Sequence, residues 1–137
     1  MSNLYVFDTN VLVSALLFAN SAPKKALELA LDIGTMLISQ ETIDELNSVL
    51  SRPKFERYIS PEKRERFILA FVQKSIFIEI HETIEECRDP KDNKFLELAV
   101  SGQATAIISG DKDLLVLHPF RDISILTVNQ FLNFQEV

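Results

Sequence analysis

The chain has 137 residues, of which 47% are hydrophobic and three are glycine, with a formal net charge of −6. That length lets one domain, residues 1–137, bury about two-thirds of its unfolded surface, and the composition excludes a disordered or fibrous protein. No apolar run approaches the ~18 to 20 residues of a membrane span, and with no charged leader and a single cysteine, Cys87, a soluble protein of the reducing cytoplasm is expected, without a membrane partner.

In chain order, LYVF at 4–7 reads as a first strand ending at Asp8. Apolar sequence resumes at Val11 to Val13, as in a strand covered on both faces, so Asp8 interrupts a buried stretch. A buried ionised carboxylate costs several kcal/mol unless a cation, a set of donors or a metal lies beside it. The spacing then predicts a helix over 22–33 ending at Gly34, a strand TMLI at 35–38, and a helix over 40–50 capped by Ser39. A helix over 61–75 follows, with Ser60 as cap and Pro61 in its first position, and then a strand IFIEI at 76–80. A helix over 92–100 leads into a strand TAII at 105–108, and a short helix over 113–117 precedes a strand ISIL at 123–126 and a closing helix over 128–134. Such alternation argues for an α/β fold: a parallel sheet of about five strands with helices on both faces.

The acids converge on one end of that sheet. In open parallel sheets the working crevice lies outside the carboxyl ends of the strands. Asp8 ends the first strand, Asp111 ends the fourth with Gly110 turning the chain, and Asp113 follows. Glu45 lies in the second turn of the helix after strand two, and Asp92 in the first turn of the helix feeding strand four. Each also has a structural explanation. Asp89 and Pro90 make a good helix start with Asp92 favouring the helix dipole, Asp111 can cap the helix after it, and Glu45 borders an apolar stripe where Glu41 and Asp44 are equally available. Asp8 has the weakest such explanation. Gathered carboxylates repel by ~1 to 4 kcal/mol per pair at about 4 Å, which a divalent cation reverses, and oxygen-only ligands choose Mg²⁺ or Mn²⁺ over zinc. His81 and His118 are poorly placed to contribute, and Cys87 reads as an inert thiol.

A net charge of −6 argues against a nucleic-acid partner, yet setting the four acids aside leaves −2. From Arg52 to Arg66 the sequence RPKFERYISPEKRER carries six basic residues against three acidic ones. Arg52, Lys54, Arg57, Lys63 and Arg64 are therefore candidates for RNA binding, the alternative being a solvated, internally paired helical face.

Taken in order, VFDTNVLVSAL, SQETIDEL, RDPKDNKFLELA and IISGDKDLL resemble the motif series of the PIN-domain family, in particular short bacterial toxin-like PIN nucleases, over essentially the whole chain. The resemblance implies a three-layer α/β/α domain and Mg²⁺- or Mn²⁺-dependent cleavage of RNA. It matches Asp8, Glu45, Asp92 and Asp111 to catalytic metal-binding acids, with Asp113 auxiliary and Thr9, Asn10 and Ser109 as polar support. Ser109 stands where threonine is common in the family. The resemblance also implies an antitoxin partner and a homodimer. Three rivals remain: a PIN domain that only binds RNA or protein, a haloacid-dehalogenase-like phosphatase, and a receiver-like signalling domain. Asn10 replaces the second acid that the phosphatase needs, and IFIEIHET lacks the strand-end aspartate of a receiver.

Overall fold

Alternation of side chains in the opening strand sets the layers. In the computed structural model, which describes residues 3–134, Tyr5 and Phe7 of β1 (Asn3–Phe7) point to one face of the sheet and Val6 to the other, and all three are buried. Four further parallel strands complete the sheet: β2 (Gly34–Ile38), β3 (Ile76–Phe77), β4 (Ala106–Ile108) and β5 (Ser124–Leu126), in the order β3-β2-β1-β4-β5. Tyr5 pairs with Met36 on one side and Ala106 on the other. A Cβ at Gly34 would collide with the Asn3 carbonyl oxygen, so the β1–β2 contact requires glycine there.

One face of the sheet is covered by α1 (Thr9–Leu17), α2 (Ala22–Ile33), α3 (Gln40–Leu50), α4 (Pro61–Lys74) and α7 (Val128–Phe134). Leu12, Ala26, Leu46, Phe71 and Phe131 from these helices close over Tyr5, Phe7, Met36 and Ile108. On the other face α5 (Asn93–Gly102) and α6 (Lys112–Leu115) bring Leu96, Leu98 and Leu114 against Val6, Ile107 and Ile125. Burial of a leucine of this kind contributes about 1.5 to 3 kcal/mol, so both layers hold the sheet, and the three-layer α/β/α expectation stands.

The caps follow the sequence: Ser21, Ser39 and Ser60 each accept a backbone amide at the start of a helix. Three local expectations are corrected. Val11 to Val13 belong to α1, which buries Thr9, Val11, Leu12, Val13 and Ala15; a helix apolar on most of its circumference loses the helical signature in its pattern. The third strand stops at Phe77, with one further bond from Ile78 N to Ile38 O at 2.8 Å, because β2 ends there and Ser39 turns into α3. Helices expected over 92–100 and 113–117 run Asn93–Gly102 and Lys112–Leu115, the first preceded by a 3₁₀ turn at Pro90–Asp92.

Sheet order reverses at β1, with β2 and β3 to one side and β4 and β5 to the other. The carboxyl ends of β1 and β4 therefore border the crevice where such sheets place their ligands. No helix of the described residues is long and apolar enough to cross a membrane.

Candidate active site

Asp8 follows β1 directly and is the N-cap of α1, its Oδ1 accepting the Val11 amide at 2.9 Å. This cap is a structural role that the sequence pattern hid. Ser109, fully buried after β4, donates its hydroxyl to Asp8 Oδ2 and accepts the Asp111 amide at 2.9 Å. Asp8 is only 5% exposed, and burial pushes its carboxyl above the ordinary range; the Ser109 and Val11 bonds pull it down, and the neighbouring Asp111 pushes it up.

Asp111 caps α6 through the Asp113 amide at 2.8 Å, and Asp113 stands in the first turn of that helix. Gly110 between β4 and Asp111 does not take a left-handed backbone, and a Cβ there would meet no atom within 4 Å, so the turn itself does not demand glycine. Asp92 ends the 3₁₀ turn that Asp89 caps and leads into α5. One carboxylate oxygen from each of Asp92, Asp111 and Asp113 falls within 4.8 Å of the other two. Asp92 Oδ2 is buried with no hydrogen-bond partner among the described residues. Burial, the adjacent Asp111 carboxylate, and the charges of Asp89 and Asp8 raise the Asp92 carboxyl to about 7. A buried carboxylate oxygen without a hydrogen-bond partner is completed by a proton or a cation.

Glu45 reaches the same cleft from α3, but its neighbours differ. Thr9 donates its hydroxyl to Glu45 Oε1, and Lys94 pairs with Oε2 at 2.8 Å; the Lys94 ammonium also reaches the Lys91 carbonyl. Arg88 lies 3.2 Å from Asp113 on the surface. Among the described residues no cation pairs with Asp8, Asp92 or Asp111. The cleft encloses about 240 Å³ and is lined by Asp8, Asn10, Glu45, Arg52, Asp92 and Asp111, among others. A larger hollow of about 660 Å³ lies beyond Lys91 and Lys94, outside the acid group.

Of the basic candidates, Arg52 lines the cleft. Lys54 and Arg57 are exposed over the rings of Phe55 and Tyr58, Lys63 is exposed in the first turn of α4, and Arg64 is half-buried. His81 and His118 are absent from the cleft lining, and His118 Nδ1 accepts the Ile125 amide at 2.8 Å. Cys87 is buried behind the acids; burial and then the charges of Asp92, Asp111, Asp113 and Asp89 raise its thiol to about 11, which leaves it inert. Lys94, which sequence reasoning missed, carried no signal: a lysine two residues after an aspartate at a helix start looks like any solvated charge.

A parallel sheet between two helical layers, with an acidic cleft at its switch point, defines the class. The PIN domain model matches residues 5–113, and the chain belongs to the PIN-domain family, whose members are generally nucleases and typically use divalent metals. The uncharacterized protein MJ1680 of Methanocaldococcus jannaschii is 38% identical over 114 residues, spanning 82% of this chain and 73% of that protein. Among solved structures, VapBC2 from Rickettsia felis, bound to a DNA fragment from its promoter, is similar with a TM-score of 0.62 and 14% identity over 90% of this chain and 98% of that one. PAE2754 from Pyrobaculum aerophilum has the same TM-score at 13% identity, over 99% of this chain and 91% of that one.

Proposed function

We propose that the protein is a Mg²⁺- or Mn²⁺-dependent ribonuclease whose catalytic acids are Asp8, Glu45, Asp92 and Asp111, with Asp113 as a further ligand. The observation that carries this reading is Asp92, whose Oδ2 is buried without a hydrogen-bond partner among the described residues and which brings one carboxylate oxygen within 4.8 Å of Asp111 and Asp113. The residues fit a hard dication: the donors are all carboxylate oxygens, no histidine or thiolate competes, and among the described residues no cation pairs with Asp8, Asp92 or Asp111. When bound, such an ion activates water and offsets the charge that builds on a phosphodiester.

The protein's own residues do the positioning. Ser109 and the Val11 amide fix Asp8, and Thr9 orients Glu45. Lys94 places a positive charge on Glu45, Lys91 lines the cleft, and Asn10 is exposed in its lining. Arg52, Lys54, Arg57, Lys63 and Arg64 attract the RNA backbone. No side-chain nucleophile is required.

Kinship with PIN domains, and the fold shared with VapBC2, support a role as the toxin of a toxin–antitoxin pair, with an antitoxin protein and a second copy of the chain as partners. In this reading residues 1–137 act as one nuclease domain in the cytoplasm. The test is incubation of the purified protein with labelled RNA in Mg²⁺, Mn²⁺ or EDTA, with Asp92→Asn as the blank. Cleavage by the wild type in either ion alone is expected. Cleavage that persists in EDTA, or that Asp92→Asn retains, overturns the reading. The Lys94 contact, which already neutralises Glu45, favours a second reading as a non-cleaving binder, and RNA retained but uncut in every condition would establish it.

A further inference from the structure

Two exposed aromatic side chains stand together on the surface reached from the cleft by α1. Phe18, just past the end of α1, is 47% exposed, and Tyr58, in the segment before α4, is 52% exposed. Their rings meet edge to face with centroids 5.9 Å apart, so each holds the other in place. The Arg57 guanidinium lies 5.5 Å from the Tyr58 centroid, and the Lys54 ammonium 5.1 Å from that of Phe55. Arg52, at the start of the same basic segment, lines the acid cleft. α1 begins at Thr9, also in the cleft wall, and at 1.5 Å per residue carries the chain about 14 Å to Phe18. The acid group thus lies at one end of α1 and an aromatic step flanked by cations at the other.

We infer that Phe18 and Tyr58 are a stacking platform for bases of single-stranded RNA a few nucleotides from the bond held in the cleft. Single-stranded nucleic acid presents both surfaces this patch matches: unpaired base faces for the rings, and phosphates for Arg57, Lys54 and Arg52. A duplex hides its base faces and gains only the phosphate contacts, so the platform selects single strands. The inference rests on the ribonuclease reading for the identity of the strand, yet it is tested without cleavage.

The chain has no tryptophan, so Tyr58→Trp installs a single reporter. In EDTA, a short single-stranded oligoadenylate is expected to quench its fluorescence saturably, while an RNA duplex of equal length does so weakly. Tyr58→Ala and Phe18→Ala, shown folded by circular dichroism, should each weaken oligoadenylate binding about tenfold and leave its salt slope unchanged, since stacking releases no counterions. Tyr58→Phe should bind as wild type, and Arg57→Ala should flatten the slope. Absence of quenching, equal quenching by the duplex, or wild-type binding by both alanine variants overturns the platform. So does a partner protein bound through these rings by a chain that fails to quench with RNA. Cleavage in Mg²⁺ without quenching would reject the platform and keep the nuclease; quenching without cleavage would do the reverse.

Discussion

Glu45 and Asp92 line the same cleft, and the fold treats them differently. Glu45 receives the Thr9 hydroxyl and the Lys94 ammonium, so its charge is answered within the chain. Asp92 faces Asp111 and Asp113, has a buried oxygen without a partner, and holds its proton up to about pH 7. The contrast refines the expectation of one uniform nest of four acids. Repulsion is offset at Glu45 by a lysine of α5 and left standing between Asp92 and Asp111.

The sharpest way to break this contrast is Asp92→Asn, which should lower RNA cleavage by on the order of 100-fold or more while keeping the fold by circular dichroism. Asp8→Asn should also abolish cleavage. Asparagine caps a helix as well as aspartate does, so this variant should melt in chelator no lower than wild type, whereas Asp8→Ala loses about 1 kcal/mol with the cap.

Next in size is the response to pH and metal. Without a dication, the proton Asp92 holds up to about 7, against an ordinary 3.8, stabilises the fold in full below the lower value. That stabilisation is lost as pH rises through the higher one, and Asp8, raised as well, adds in the same sense. Wild type should therefore melt lower at about pH 8 than at about pH 5 in chelator, Asp92→Asn should remove much of that difference, and saturating Mg²⁺ or Mn²⁺ should reverse it. Melting temperatures that ignore both pH and metal would contradict the site.

Lys94→Met tests the Glu45 side of the contrast. Leaving Glu45 half-buried and unpaired should cost about 1 to 2 kcal/mol in chemical denaturation, less than a fully buried pair because both side chains keep some solvent. If Glu45 turns toward the ion, Mg²⁺ will recover part of that loss; an unchanged deficit would confine Glu45 to its lysine. The smallest effect is expected from Arg88→Ala, below about 0.5 kcal/mol because Arg88 is 88% exposed. Calorimetric titration should then show slightly tighter ion binding, since Asp113 is freed.

Much of the fold was legible because strands and caps speak locally. LYVF, TMLI, TAII and ISIL each became a strand, and Ser39 and Ser60 each became a cap. α1 was hidden, since VLVSALL is buried on so many sides that no polar stripe marks its period. IFIEI overstated β3, because a strand's length depends on where its neighbour ends. At the site, Asp8 and Asp111 could be placed by topology alone. What sequence could not supply was the pairing of residues 49 positions apart, Glu45 with Lys94, or the fact that Asp8 serves α1 as well as the cleft.

The hydroxyl of Ser109 stitches the ends of two adjacent strands by bonding Asp8 while receiving Asp111. The floor of the cleft thus inherits the stiffness of the sheet, whereas Glu45 and the Lys94 that pairs with it are carried on helices. The Ser109 bonds tie the Asp8 carboxylate to the Asp111 backbone amide, while the Glu45–Lys94 pair joins two side chains that keep some contact with solvent.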